Sequence, residues 1–358
     1  MNRQSLVVAG IWVLVLVLMS VIIPALLVDK RTDAIDGAGR IDDGNLLSAK
    51  RSGTKQEAFW SQLEVPVYLT KEERVEHVPL EAYVRGVVAA EMPPEFELEA
   101  MKAQAIAART YIVRRLAERD FSQVPVQEAW VTDSVVHQAY LTIDQLKKRW
   151  GKDQFPAYWQ KWTDAVRETA GLIATYEGEP ILAAYFSTSN GYTENSEEYW
   201  QRKIPYLRSV PSPWDKQLSP RYQQTVTLGI DEFKEKLGLS DAINISGEDA
   251  YKVLEKTAGG RVKTARIGNQ VLSGREIREK LELPSTHFSL RFTDQHVEVT
   301  TYGYGHGIGM SQYGAQGMAL EGYKADEILK YFYTGIEIKR VDQVSIDLSN
   351  VPVTTARN

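Results

Sequence analysis

Residues 6–28 read LVVAGIWVLVLVLMSVIIPALLV, 23 residues without a charge, and no other stretch constrains this chain as strongly. About 20 apolar residues cover the hydrocarbon core of a bilayer. The apolar region of a cleaved signal peptide is shorter, about 7 to 15 residues, and ends in a small-residue cleavage site. This run is longer and passes through Leu26, Leu27 and Val28 straight into Asp29 and Lys30. A retained transmembrane signal-anchor is therefore expected. Pro24 sits late in the span, where a kink is tolerated. Arg3 precedes the span, while Lys30, Arg31 and Arg40 follow it, mixed with Asp29, Asp33 and Asp36. Charge alone does not set the orientation, and a long domain translocates largely regardless of it.

The remainder is expected to be soluble. Residues 1–5 form a short cytoplasmic end. Residues 29–62 are polar and dotted with Gly37, Gly39, Gly44 and Gly53, which suits a flexible stalk. A folded body is expected over 63–343 and a tail over 344–358. The net charge of −5 argues against nucleic acid, which wants a basic footprint. The absence of cysteine excludes disulfides, a thiol nucleophile and a thiolate zinc site. His137 has no His-Glu-x-x-His context to make it a metal ligand. No metal and no cofactor are expected.

Within the body, residues 63–69 read as a strand. Helices are expected at 78–92, opening at Pro79, and at 97–119, with Pro93 and Pro94 breaking the chain between them. Two more helices are expected at 143–150 and 158–169. Strands are expected at 171–176, 181–187, 223–228 and 262–267. Ser273 is placed to cap a helix through 281. A hairpin follows from 288–292 and 297–302, then helices at 311–320 and 325–332. Helices early and strands later, with no repeated βαβ unit, predict an α+β fold with a helical part and a strand-rich part.

The first helix holds the most informative residue. At 100° per residue, Leu80, Tyr83, Val84, Val87 and Val88 form one stripe, and Glu91 returns to its middle. Burial of that carboxyl raises its pKa, and an acid held protonated near neutrality can donate a proton in catalysis. On the second helix, Lys102 and Arg109 fall inside the stripe of Leu98, Met101, Ala105, Ile112 and Leu116. Cations on an apolar face need an anionic partner or ligand. Gln104 and Tyr111 share a neighbouring face suited to a polar ligand. Two readings stay open here: a substrate site, or a Glu–Arg pair that holds the two helices together. Only one acid sits in so apolar a setting, whereas most glycosidases use two. Glu194, Glu197 and Glu198 lie near a polar loop but lack that setting.

Two loops complete the pattern. Ser187, Thr188, Ser189 and Asn190 lead to Gly191, a hydroxyl-rich turn without a His–Asp set for a serine nucleophile. Glycines at 303, 305, 307 and 309 alternate around His306, and Ser311 is placed to cap the next helix. The run lacks the Gly-Lys-Ser/Thr ending of a phosphate loop.

AAEMPPEFELEAMKAQAIAARTY (89–111), YFSTSNGYTENSEE (185–198) and GYGHGIGMSQYGAQGMA (303–319) resemble, in order, the three signature blocks of the SpoIID/LytB family. The resemblance spans about residues 63–340. It implies a lytic transglycosylase of sporulation that cuts peptidoglycan strands, stripped of stem peptides, between N-acetylmuramic acid and N-acetylglucosamine and leaves 1,6-anhydro ends. It implies Glu91 as the catalytic acid and Lys102, Gln104, Arg109, Tyr111, Ser187, Thr188, Ser189 and His306 as cleft residues. It also implies work at the sporulation septum on the wall side of the cell membrane, with an amidase and a polytopic membrane protein as partners in engulfment. Zinc-bearing relatives use cysteine ligands that this chain lacks. The alternative within the same resemblance is a wall-binding scaffold or amidase activator that does not cut.

Overall fold

A computed structural model describes residues 55–240 and 250–347. The span expected at 6–28, most of the expected stalk and the tail beyond 347 lie outside the described residues. Among the described residues no helix is long and apolar enough to cross a membrane. The body is mixed α+β.

Helix α1 (Lys55–Gln62) falls in the stretch expected as stalk. Its Trp60 is buried in the main core and its ring lies 5.2 Å from that of Phe59. Two adjacent aromatics anchor a segment that polar neighbours would otherwise leave in solvent. Strand β1 (Glu64–Leu69) pairs antiparallel with β2 (Arg74–Pro79) and parallel with β3 (Val131–Thr132). The sequence does not reveal β2, because RVEHVP is an edge strand with little buried surface and no apolar alternation.

Pro79 ends β2 and opens α2 (Leu80–Glu91). The helix stops at Met92, which is extended (φ −115°, ψ 133°) as the residue before a proline prefers. Leu80, Tyr83, Val84, Val87 and Val88 are all buried, as the stripe predicts. Helix α3 (Leu98–Glu118) follows and packs against α2, α4 (Ile143–Glu168) and β4 (Leu172–Tyr176). The two helices expected here are both present: α4 is broken at Gly151, whose backbone is not helical (φ 67°, ψ −179°), and its second half begins before residue 158. A capping box of Thr142 and Gln145 starts α4. After β4 and β5 (Glu179–Pro180), the strand expected at 181–187 shrinks to β6 (Tyr185–Phe186), because a turn bond from Ala184 N to Leu182 O (2.9 Å) bends the chain first. Two short helices, α5 (Ser196–Trp200) and α6 (Asp215–Leu218), follow.

A strand-rich part then builds its own core. Strand β7 (Gln223–Gly229) and helix α7 (Ile230–Leu237) lead to β8 (Tyr251–Lys256), β9 (Val262–Ile267) and β10 (Gln270–Ser273). Helix α8 (Gly274–Lys280), β11 (Phe288–Phe292) and β12 (His296–Tyr302) complete it. Two antiparallel sheets, β10-β9-β8 and β11-β12-β7, cover Phe233, Leu237, Ile267, Ile277 and Val299. Ser273 caps α8 by accepting from Glu276 N at 3.0 Å. The chain returns to the main core through β13 (Met310–Ser311), α9 (Gln312–Leu320), α10 (Ala325–Phe332) and β14 (Glu337–Arg340). Strand β13 pairs with β6, and β14 with β4.

At Gly86, α2 lies directly against the loop before α4. A Cβ there would lie 2.3 Å from Tyr140 Cε2 and 2.8 Å from Leu141 O. Tyr140 in turn stacks on Tyr83, with centroids 5.3 Å apart. Gly86→Ala is expected to cost about 1–3 kcal/mol, the usual penalty for overpacking a filled site, as a lower midpoint in chemical denaturation. An unchanged midpoint would show that the loop moves aside freely.

Candidate active site

Glu91 is the last residue of α2 and lines a cleft of about 290 Å³ with Phe96, Arg149, Trp150, Ser187, Arg221, Gln312 and Tyr313. The three sequence blocks therefore meet here, since Glu91, Ser187 and Gln312 come from one each. The carboxyl is held on both oxygens. Oε1 accepts from Ala139 N at 3.2 Å, and Oε2 accepts from Gln312 Nε2 at 2.9 Å. The Tyr185 hydroxyl donates to it as well. Gln138 Nε2 donates to that hydroxyl at 3.1 Å, and Tyr83 donates to Gln138 Oε1 at 3.2 Å. Gln104 is fully buried, with its Oε1 3.5 Å from Gln312 Nε2.

Burial pushes the Glu91 carboxyl above its ordinary value, while the donors Gln312, Ala139 and Tyr185 pull it partly back. Burial also raises Tyr83 and Tyr185, so both phenols stay protonated donors. The donors that hold Glu91, Gln312, Ala139 N and Tyr185, are all neutral.

The two cations of the second helix go elsewhere. Arg109, fully buried, forks onto Glu81, Nε to Oε1 at 2.9 Å and Nη2 to Oε2 at 2.5 Å, and donates to Leu172 O at 3.0 Å. Lys102 pairs with Glu99 at 2.9 Å and with Glu168. The Glu–Arg pair that bridges α2 and α3 is real, but its acid is Glu81 and not Glu91. Tyr111 is partly buried beneath Arg115, whose guanidinium lies 5.8 Å from its ring. It is near enough to Tyr83 and Tyr185 for its hydroxyl to act on both.

Of the hydroxyl loop, only Ser187 reaches the cleft. Thr188 is buried with Oγ1 2.7 Å from Ser219 Oγ. Ser189 N donates to Asp215 Oδ1 at 2.6 Å, and its Oγ to Ser212 O at 3.1 Å. Asp215 also accepts from Ser212 Oγ (2.6 Å) and Ser311 Oγ (2.5 Å). Ser311 caps α9, so this buried carboxyl fastens the second block to the helix that carries Gln312. Asp215, Gln138, Tyr185 and Gln312 escape the sequence because none breaks an apolar periodicity. Only the position of Gln312, directly after the capping Ser311, hinted at it.

The glycine run packs against its own chain, not around an open ligand space. All four alternating glycines have positive φ. A Cβ at Gly309 would meet Ala184 O at 2.0 Å. His306 faces a second cavity, of about 430 Å³, with Glu194, Glu197, Glu198 and Arg261. Its Nδ1 accepts from Ile308 N at 3.0 Å, and Phe186, Tyr199 and Trp200 surround the ring. Burial, with Arg278 and Arg261 nearby, lowers its pKa to about 4. It is neutral at physiological pH and stands apart from Glu91, as do the three acids considered as second carboxylates. Glu194 is itself buried against Arg261. The other carboxylate of the Glu91 cleft is Glu95, at an exposed position.

Stage II sporulation protein D of Bacillus amyloliquefaciens and that of Bacillus subtilis are each 48% identical to this chain over 283 residues, 79% of this chain and 80% of each relative. The chain belongs to the SpoIID family. The family's model, described as stage II sporulation protein, matches residues 68–176, which hold Glu91 and the whole of α3. The amidase enhancer of Bacillus subtilis is a more distant relative, 29% identical over 70% of this chain and 39% of its own length.

In a SpoIID protein built this way, Glu91 weakens the fold when it ionises. Its folded pKa is raised, so its protonated form favours folding at low pH, and that contribution is lost as pH rises through the folded pKa. Glu91→Gln cannot ionise. It is expected to melt above the parent at pH 8, with the gap closing below about pH 4, where a free Glu is itself protonated. A gap that grew on acidification would reverse the assignment.

Proposed function

We propose that this chain is a lytic transglycosylase of the bacterial cell wall, acting in sporulation on peptidoglycan strands stripped of stem peptides. The observation that carries the reading is one half-buried carboxyl with a raised pKa in an open cleft, held by neutral donors. The protonated Glu91 gives its proton to the glycosidic oxygen between N-acetylmuramic acid and N-acetylglucosamine as the C1–O4 bond breaks. The carboxylate left behind then takes the proton of the muramic acid 6-hydroxyl as O6 bonds to C1. The acid is regenerated and a 1,6-anhydro end remains. No water is consumed, so no second carboxylate is needed to activate one. Gln312 and Ala139 N keep the carboxyl aimed through both steps. Anchored by residues 6–28, the body faces the wall at the sporulation septum and works beside an amidase and a polytopic membrane protein during engulfment.

Incubated with denuded strands, the protein is expected to release fragments whose masses carry anhydro ends. Glu91→Gln is expected to lower that rate by about 10²–10⁴-fold, the usual worth of a general acid. Undiminished release would remove Glu91 from the chemistry, and reducing ends would make the enzyme a hydrolase. Because the proton must be present on Glu91, kcat/KM falls as pH rises through its pKa. Gln312 donates to the ionised form, so Gln312→Leu is expected to move that falling limb to higher pH.

The likeness to an amidase enhancer favours one second reading, a protein that binds strands and recruits or activates another enzyme. Binding of denuded strands without release of any fragment would decide for it.

A further inference from the structure

Two arginines, Arg149 and Arg221, line the Glu91 cleft. Both are exposed, and neither has an ion pair or a side-chain hydrogen bond among the described residues. They differ in this from Lys102 and Arg109, which are bound to carboxylates of the fold. Each instead lies against an aromatic ring. The Arg149 guanidinium is 5.4 Å from the Trp150 ring centroid, and that of Arg221 is 4.9 Å from the Tyr304 centroid. Such stacking orients a guanidinium while leaving its N–H edge free for a planar anion. The main chain under Arg221 is also fixed, since its N donates to Ser219 Oγ at 3.1 Å and Ser219 is bonded to Thr188. Glu95 alone opposes these two charges on the cleft wall while Glu91 is protonated.

The glycan of a peptidoglycan strand is neutral except at the lactyl group of muramic acid. With a stem peptide attached, that carboxyl is an amide. Once the peptide is removed, it is a free carboxylate, one per disaccharide. We propose that Arg149 and Arg221 read this free lactyl carboxylate, so that the cleft selects peptide-free muramic acid by charge. The inference rests on the transglycosylase reading for its substrate, and it gives that reading a physical basis for preferring denuded strands. The geometry also separates recognition from chemistry. Stacked on the rim, the arginines attract an anion without pairing with Glu91, whose proton a bound cation would drive off.

The test reads binding, so it does not depend on cleavage. The full chain in detergent is titrated with denuded strands and with the same strands after their lactyl carboxyls are converted to methylamides. The parent is expected to bind the carboxylate form about tenfold more tightly, the scale of one or two charge-assisted pairs at an exposed site. That preference should shrink in high salt. The double variant Arg149→Gln, Arg221→Gln is expected to bind both forms equally, at the strength the parent shows for the methylamide. Both positions are exposed, so its melting temperature should match the parent's. A parent without preference, or a double variant that keeps it, overturns the proposal. If the parent shows the preference yet releases no fragments, the transglycosylase reading falls while the carboxylate site stands.

Discussion

The hydrogen bond from Gln312 Nε2 to Glu91 Oε2 joins residues 221 apart in the chain, and the rest of the site depends on it. Glu91 reaches the cleft at the end of α2, and Gln312 reaches it at the start of α9. Neither helix end can drift without releasing the carboxyl. The supports are correspondingly stiff. Pro93 and Pro94 stop α2 where Glu91 stands. Ser311 caps α9 and is itself held by buried Asp215, which also holds Ser189 and Ser212. Gly86 lets Tyr140 close on Tyr83, and that contact sets the loop whose Ala139 N fills the other carboxyl oxygen.

The glycine run gains a mechanical meaning from this arrangement. Read alone, alternating glycines around a histidine suggest a cradle for a ligand. In the fold they let residues 303–309 lie against Ala184, Thr188 and Arg261 with no room for a Cβ. The tight packing sets where β13 begins, and so where Gln312 falls. His306 belongs to the same packing: its Nδ1 is used by Ile308 N, and three aromatic rings enclose it.

Much of the fold is legible in the sequence where a strong local signal exists. The stripe of α2, the proline break, the caps at Ser273 and Ser311 and the β11–β12 hairpin are examples. Residues 74–79 and 55–62 are not legible in the sequence, because an edge strand and a short polar helix leave no periodic trace. In the site, periodicity identified Glu91 because an acid on an apolar stripe is an anomaly. It could not name partners. A helical wheel shows that Arg109 faces inward but not that Glu81, ten residues before Glu91 on the same helix, would meet it. Asp215, Gln138 and Gln312 left no such anomaly, since they sit in loops or at a helix end and their roles come from distant segments.

The pairing of Arg109 with Glu81, and not with Glu91, favours the protonated form of the acid. A cation within about 4–6 Å of a carboxylate lowers its pKa by 1–3 units. Had Arg109 or Lys102 met Glu91, the positive charge would have favoured the ionised carboxylate and opposed the upward push of burial. Glu81, Glu99 and Glu168 take up both cations and leave burial as the largest influence on Glu91. Amide and phenol donors then orient the carboxyl at a smaller electrostatic cost than a full positive charge. A lysine in place of Gln312 would make a stronger bond to Glu91 and a worse acid of it. The neutral side chain is the one that reconciles a fixed position with a retained proton.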